Sequence, residues 1–273
     1  MSAAAFFVMQ PAWAADPSFV LIEKLGPVAE WLRGGHHDYC DGKCTVGTAP
    51  TDLPIYLSNP NRVTKESVFV NLMGLYVRPS IFAELANSQH LRNLYLSNTN
   101  ADDAACEKIG TCTNLYCLDL SWTNISVEGL KQIAKLEHLH ILKLRGVQIT
   151  PAVAQTLASM PVLDYLDVSS TNSESVSNIF AVKGFENLRT LSIQAIDFTN
   201  FPRPRETPIW PKLYTVALDQ SSNTTAFLDA LHDVNSLRNI RAFQMNDDDI
   251  QRIKAFATPH GITVFDEDYI NTQ

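Results

Sequence analysis

The chain has 273 residues, 45% of them hydrophobic and 18% charged, with a formal net charge of −8. That balance excludes a disordered chain and a chain built of membrane spans, and the length allows a sizeable core. The acidity, with no run of lysine or arginine, leaves no electrostatic footprint for nucleic acid or an anionic membrane surface.

Residues 1–15 read as a secretory signal peptide. Ala3 to Met9 is apolar, Pro11 follows, and Ala12-Trp13-Ala14 fits the small-x-small rule before cleavage at Ala15. The first lysine is Lys24, so the basic n-region of such signals is missing. The expectation is a bacterial protein exported to the periplasm or beyond, and a cytoplasmic one if this segment is something else. The apolar run falls short of the roughly 20 residues a membrane-spanning helix needs, and no other segment qualifies.

Residues 16–64 are expected to form an N-terminal capping region. Within them, Phe19, Leu21, Ile22, Leu25, Val28 and Trp31 make an apolar face, with Gly26-Pro27 kinking or splitting it. Next comes HHDYCDGKC, His36 to Cys44, the densest group of potential metal ligands in the chain. Three readings stand: a short disulfide Cys40–Cys44 tying down the cap, free thiols, or a metal site. Zinc sites carry a second Cys/His pair, which the sequence lacks, so no metal and no cofactor are expected. The other cysteines are Cys106, Cys112 and Cys117, and the total of five leaves at least one thiol unpaired in a monomer.

From residue 65 to residue 261 the chain repeats. Leu91, Leu115, Leu139, Leu163, Leu188, Leu213 and Leu237 are separated by 24, 24, 24, 25, 25 and 24 residues. Each opens an L-x-x-L-x-L pattern: LRNLYL, LYCLDL, LHILKL, LDYLDV, LRTLSI, LYTVAL and LRNIRA. With the leading leucine as position 0, positions 3 and 5 are apolar, and strand alternation sends them into a core. Positions 2, 4 and 6 then point to an open face. Position 8 is Thr99, Thr123 and Thr171 in three repeats, whose hydroxyls can satisfy turn backbone.

After each strand a helical pattern follows: Leu130, Ile133 and Leu136; Ala154, Leu157 and Met160; Ile179, Val182 and Phe185. Ile125, Ile149 and Phe198 add an apolar residue at position 10, and Thr150-Pro151 suits a helix start. Upstream, Ser67 heads a weaker repeat with Val70, Leu72, Leu75, Val77, Phe82 and Leu85 at core positions. One repeat departs: FTNFPRPRETPIWPK, Phe198 to Lys212, replaces a helix with an extended arm, because its four prolines remove backbone donors. Phe201 and Trp210 are expected to pin that arm. Downstream, Ile250, Ile253 and Phe256 predict a last helix, its Asp247-Asp248-Asp249 run being ordinary acid at a helix N-terminus. Residues 262–273 form a C-terminal cap, with a closing strand over Ile262, Val264 and Phe265.

No single repeat stands alone, so the repeats must stack into a continuous core with capped ends. The chain resembles the leucine-rich repeat family over Leu91 to about Leu237. LYCLDLSWTNISVEGLKQIAKLEH is similar to the bacterial variant with threonine and then isoleucine after the strand. The resemblance implies an α/β leucine-rich repeat solenoid, curved, with the parallel sheet on the concave side and helices on the convex side. It also implies a scaffold for protein interaction rather than an enzyme.

On that frame the open face of the first repeats gathers Phe69, Met73, Tyr95, Asp119, Trp122, Ile141, Lys143, Arg145, Tyr165 and Asp167. Aromatics beside arginine are the material of protein-binding hot spots. Asp119, Lys143 and Asp167 can equally be a cross-strand charge ladder. Cys106 and Cys112 fall at helix core positions. Cys117 falls on the open face beside Asn93 and Ile141, which offer no base to activate a thiol. The expectation is a non-enzymatic module gripping a protein partner. The alternatives are a metal- or thiol-dependent element at His36–Cys44 supported by the solenoid, or a secreted effector aimed at a host.

Overall fold

In the computed structural model the described residues are 69–202, 210–267 and 269, all within one compact unit, Val63–Gln273. Their strands are three residues each: β1 (Phe69–Asn71), β2 (Asn93–Tyr95), β3 (Cys117–Asp119), β4 (Ile141–Lys143), β5 (Tyr165–Asp167), β6 (Thr190–Ser192), β7 (Thr215–Ala217), β8 (Asn239–Arg241) and β9 (Thr263–Phe265). They form a single sheet in chain order, every pair parallel. The register is that of the leucine repeat: Val70, Leu94, Leu118, Leu142, Leu166, Leu191, Val216, Ile240 and Val264 stand side by side. The closing strand, whose pairing sequence could not set, continues this register.

Between strands run α1 (Pro79–Ala86), α2 (Asp103–Ile109), α3 (Val127–Ile133), α4 (Pro151–Ala158), α5 (Ser173–Phe180), α6 (Thr225–Leu231) and α7 (Asp247–His260). A polar residue starts most of them by accepting from a first-turn N–H. Asp102 takes Ala105 N, Ser126 takes Glu128 N, Thr150 takes Val153 N, Asn172 takes Ser175 N and Asn246 takes Asp249 N. The core lies between the leucines of positions 0, 3 and 5 and the buried helix faces. This is an α/β leucine-rich repeat solenoid.

The position-8 threonines do what their hydroxyls allow. Thr99 donates to Leu96 O at 2.7 Å, Thr123 to Leu120 O at 2.5 Å and Thr171 to Val168 O at 2.8 Å. Some expected core residues are only half-buried: Leu75, Ile125, Val182 and Phe256. Helix α5 ends at Phe180, two residues before Val182, and Phe180 takes the core place instead. In α7 the buried residue after Ile253 is Ala257, four along rather than three.

Among the described residues no helix joins β6 to β7. Phe201 and Trp210 are buried there as expected, and the cluster they join is larger than the sequence pattern implied. Phe180 lies 4.5 Å from Trp210, 5.4 Å from Phe227 and 6.2 Å from Phe201, and Phe198 stacks on Phe227 at 4.7 Å. Phe198, Phe201 and Trp210 thus pack against Phe180 of α5 and Phe227 of α6. Residues 203–209 of the proline arm lie outside the described residues.

Candidate recognition surface on the strand face and its turn rim

The strand register lines up two rows on the face away from the helices. One row runs Phe69, Asn93, Cys117, Ile141 and Tyr165; the next runs Asn71, Tyr95, Asp119, Lys143 and Asp167. Met73, Arg145 and Trp122 lie just past the strand ends. The ten predicted contact residues are thus brought together, but not all at the surface. Phe69, Met73, Tyr95, Lys143 and Arg145 are half-buried and Trp122 is exposed, whereas Asp119, Ile141, Tyr165 and Asp167 are buried.

The buried acids correct the sequence reading, which took them as outward charge. Each ends its strand: Asp119 Oδ1 accepts from Ser121 N at 2.9 Å, and Asp167 Oδ1 from Ser169 N at 2.9 Å. Asn71 does the same for Met73 N at 3.0 Å. A three-residue strand leaves the N–H two places on without a ladder partner, and a short Asx side chain supplies it. Longer neighbours then lie over the short ones. Lys143 reaches to within 5.8 Å of the Tyr95 ring centre, and in the row Asp119 stands between those two residues. Arg145 Nε comes within 4.0 Å of Asp167 Oδ2. Ile141 and Tyr165 are adjacent in the crowded inner row, where side chains on strands about 4.8 Å apart cover one another. These four residues support the surface rather than form it.

Burial also sets the protonation of the face. It raises the Asp119 carboxyl, opposed by the Lys143 charge and the bonds from Ser121. It raises the Tyr95 phenol well above its ordinary value, helped by Cys117. Cys117 is fully covered, with its thiol donating to Tyr95 Oη at 3.7 Å. Burial pushes it up to about 11, against the pull of the Lys143 charge. Sequence placed Cys117 on this face without a cation; the structure brings Lys143 near, yet the group stays a thiol. Cys106 and Cys112 are buried in the helix layer, pushed by burial to about 12 and about 11. Phe69 and Tyr95, with ring centres 5.2 Å apart, complete an aromatic and cationic layer with Lys143.

Trp122 stands apart. It is 53% exposed, with φ +56°. Position 7 takes positive φ in every described repeat: Gly74, Asn98, Trp122, Gly146, Ser170, Ala195, Gln220 and Gln244. The reason is a second ladder, in which the position-7 N–H donates to the position-6 carbonyl of the next repeat. Asn98 N reaches Ser121 O at 2.8 Å, Trp122 N reaches Arg145 O at 2.7 Å, and Gly146 N reaches Ser169 O at 3.0 Å. Bulky residues rarely take this conformation, which costs on the order of 1–3 kcal/mol. The ring lies against Gly146, where an added Cβ would overlap its Cε3 and Cζ3 atoms.

A further row went unread in the sequence, the residues straight after each leading leucine. Tyr116 stacks on His140 at 4.7 Å, and His140 Nδ1 pairs with Asp164 Oδ2 at 3.0 Å. Arg189, Tyr214 and Arg238 continue that row, and Tyr214 is 51% exposed. The signal was present, since the repeat spacing aligns position 1 as firmly as position 2.

Among the described residues, no group of three or more His, Cys, Asp or Glu could hold a metal, and no helix is long and apolar enough to cross a membrane. Cys40 and Cys44, read above as a possible disulfide, and the whole His36–Cys44 cluster lie outside the described residues.

No family profile matches the chain, and no curated protein does. A solved structure that does match is that of an internalin, InlF, from Listeria monocytogenes, at 15% sequence identity and a TM-score of 0.35. The match spans 73% of this chain and 66% of that one, just under two thirds of its length. A likeness that faint carries no functional argument. The class of the protein rests on its own topology: nine in-register parallel strands headed by a leucine repeat.

Proposed function

We propose that this protein is a non-enzymatic recognition module that holds a protein partner on the open strand face of its first repeats. Phe69, Met73, Tyr95, Lys143 and Arg145 form the contact layer, with Trp122 at its rim and Asp119, Ile141, Tyr165 and Asp167 beneath as supports. The observation that carries this reading is the half-exposed Phe69–Tyr95–Lys143 layer on a parallel sheet. Parallel sheets are ordinarily covered on both faces, and an aromatic and cationic layer left accessible is what protein interfaces use as anchors. No cofactor enters this function, and the net charge of −8 argues against nucleic acid as the partner. The export reading of residues 1–15 would set this work in the periplasm or outside the cell.

The test is affinity capture from the native compartment, comparing the wild-type chain with Lys143→Ala/Arg145→Ala and with Tyr95→Ser. Capture of a specific protein that falls at least tenfold in these variants, with unfolding curves little changed, supports the reading. Capture that is indifferent to all three substitutions overturns it.

A further inference from the structure

We propose that the turn rim centred on Trp122 is a second binding site, for a neutral oligosaccharide lying along the repeat axis. It shares Trp122 with the rim of the strand-face reading above but stands on its own observations.

The first observation is a tryptophan that the fold has no use for. Its backbone slot, at φ +56°, is filled in the other repeats by Gly, Asn, Ser, Ala or Gln. Trp122 puts a bulky side chain there, and its ring stays exposed rather than joining the core. Strain of this kind persists where the surroundings hold it, and it clusters at functional sites. Here the holding partner is Gly146, whose missing Cβ leaves the room the ring occupies. The result is an aromatic surface at a set height on the rim.

The second observation is what surrounds it. Asn98 precedes Trp122 in the position-7 row. Asn124 and Gln148 follow in the position-9 row, one repeat apart. All three are exposed, and their side-chain amides, like the indole N–H, make no hydrogen bond among the described residues. Comparable amides are engaged elsewhere: Asn100 bridges Val77 N and O at 2.6 and 3.0 Å, and Asn172 caps α5. The free amides are therefore not simply what the turn requires. From β2 to β5 the two rows hold Asn98, Trp122, Gly146, Ser170, Asn100, Asn124, Gln148 and Asn172, with no charge among them.

The chemistry selects the ligand. A pyranose offers an apolar C–H face and a rim of hydroxyls that both donate and accept. An exposed indole matches the face. Amides, which also donate and accept, match the rim, where a carboxylate or an ammonium would serve only half of each hydroxyl. An anionic ligand would need a cation, and Arg145, whose carbonyl accepts from Trp122 N, has its Nε within 4.0 Å of Asp167 Oδ2. Successive repeats advance about 4.8 Å, close to the length of one sugar residue, so an extended chain can meet Asn98, Trp122 and Gln148 in turn.

The experiment uses the full chain and three neutral probes, cellohexaose, chitohexaose and maltohexaose, with a sulfated hexasaccharide as anionic control. Binding is followed by titration calorimetry and by tryptophan emission. Trp122→Asn keeps the backbone conformation that Asn98 already adopts, and Gly146→Ala displaces the ring without removing it. The expected result is millimolar or tighter binding of at least one neutral probe, with a blue shift in emission. Trp122→Asn should weaken it at least tenfold and Gly146→Ala severalfold. The proposal is overturned if no neutral probe binds, if only the sulfated one does, or if Trp122→Asn leaves binding unchanged. A sugar-negative chain whose protein capture still depends on Lys143 and Arg145 would sink this site alone.

Discussion

The repeats headed by Leu91 to Leu163 and the stretch from β6 to β7 solve one problem in two ways. The first group closes each turn with a capped helix of seven or eight residues, its buried face made of small and aliphatic residues until Phe180 ends α5. The second has no described helix between its strands, and sets Phe198, Phe201 and Trp210 against Phe180 of α5 and Phe227 of α6. A ring buries more area per residue than a leucine. Rings can therefore supply buried area where prolines at 202, 204, 208 and 211 oppose a regular helix.

That comparison can be broken at its strongest point first. Phe227→Ala should cost about 3–5 kcal/mol, since Phe227 is fully buried against Phe180, Phe198 and Phe201. Leu130→Ala, in the helical repeats, should cost about 2–5 kcal/mol. Urea unfolding of both decides whether the aromatic plug carries as much as the helix face; a Phe227→Ala cost under about 1 kcal/mol would dissolve the comparison.

The next effect is at the far side of the plug, where α7 docks on the preceding turn. Asp249 is buried, and its carboxylate accepts from Asn223 N at 3.0 Å, Thr224 N at 2.9 Å and Thr224 Oγ1 at 2.9 Å. Burial raises this carboxyl, but the bonds from Thr224, Asn246 and Asn223 outweigh it and hold it below the ordinary range. A lowered folded value means stability that is present above about pH 4 and lost as pH falls through the folded value. Asp249→Ala should cost about 2–3 kcal/mol at neutral pH and flatten the acid limb of a stability–pH curve. Here sequence saw only a generic acid at a helix start.

Smaller effects sharpen the account of the regular repeats. Gly146→Ala should cost about 1–3 kcal/mol, by overpacking against Trp122 and by strain at positive φ, and the added Trp122→Asn change should restore the overpacking part. Alanine at φ +71° carries backbone strain of its own, so only the part of the cost that Trp122→Asn relieves reports the contact, and no relief would deny it. Thr123→Val should cost about 1 kcal/mol, the value of one hydroxyl-to-carbonyl bond; Val147 already occupies the same position one repeat on. Smallest of all, Cys106, Cys112 and Cys117 should resist a thiol reagent at pH 8 until the chain unfolds, because burial keeps all three protonated.

The spacing of Leu91 to Leu237 determined the fold without coordinates: one parallel strand per repeat, its register and the threonine bonds. Such features are local or periodic, and alternation and helix period read directly off the chain. Which face residues reach solvent was a different matter. Asp119, Asp167, Ile141 and Tyr165 share their alternation phase with Tyr95 and Lys143, yet only the latter pair stays accessible. Accessibility depends on how long the side chain one strand away is, and on whether the strand's end needs a carboxylate to accept its next N–H. The bond between the fates of Trp122 and Gly146 was hidden for the same reason. It joins residues 24 apart through a backbone angle and a missing Cβ, and only packing in three dimensions brings those together.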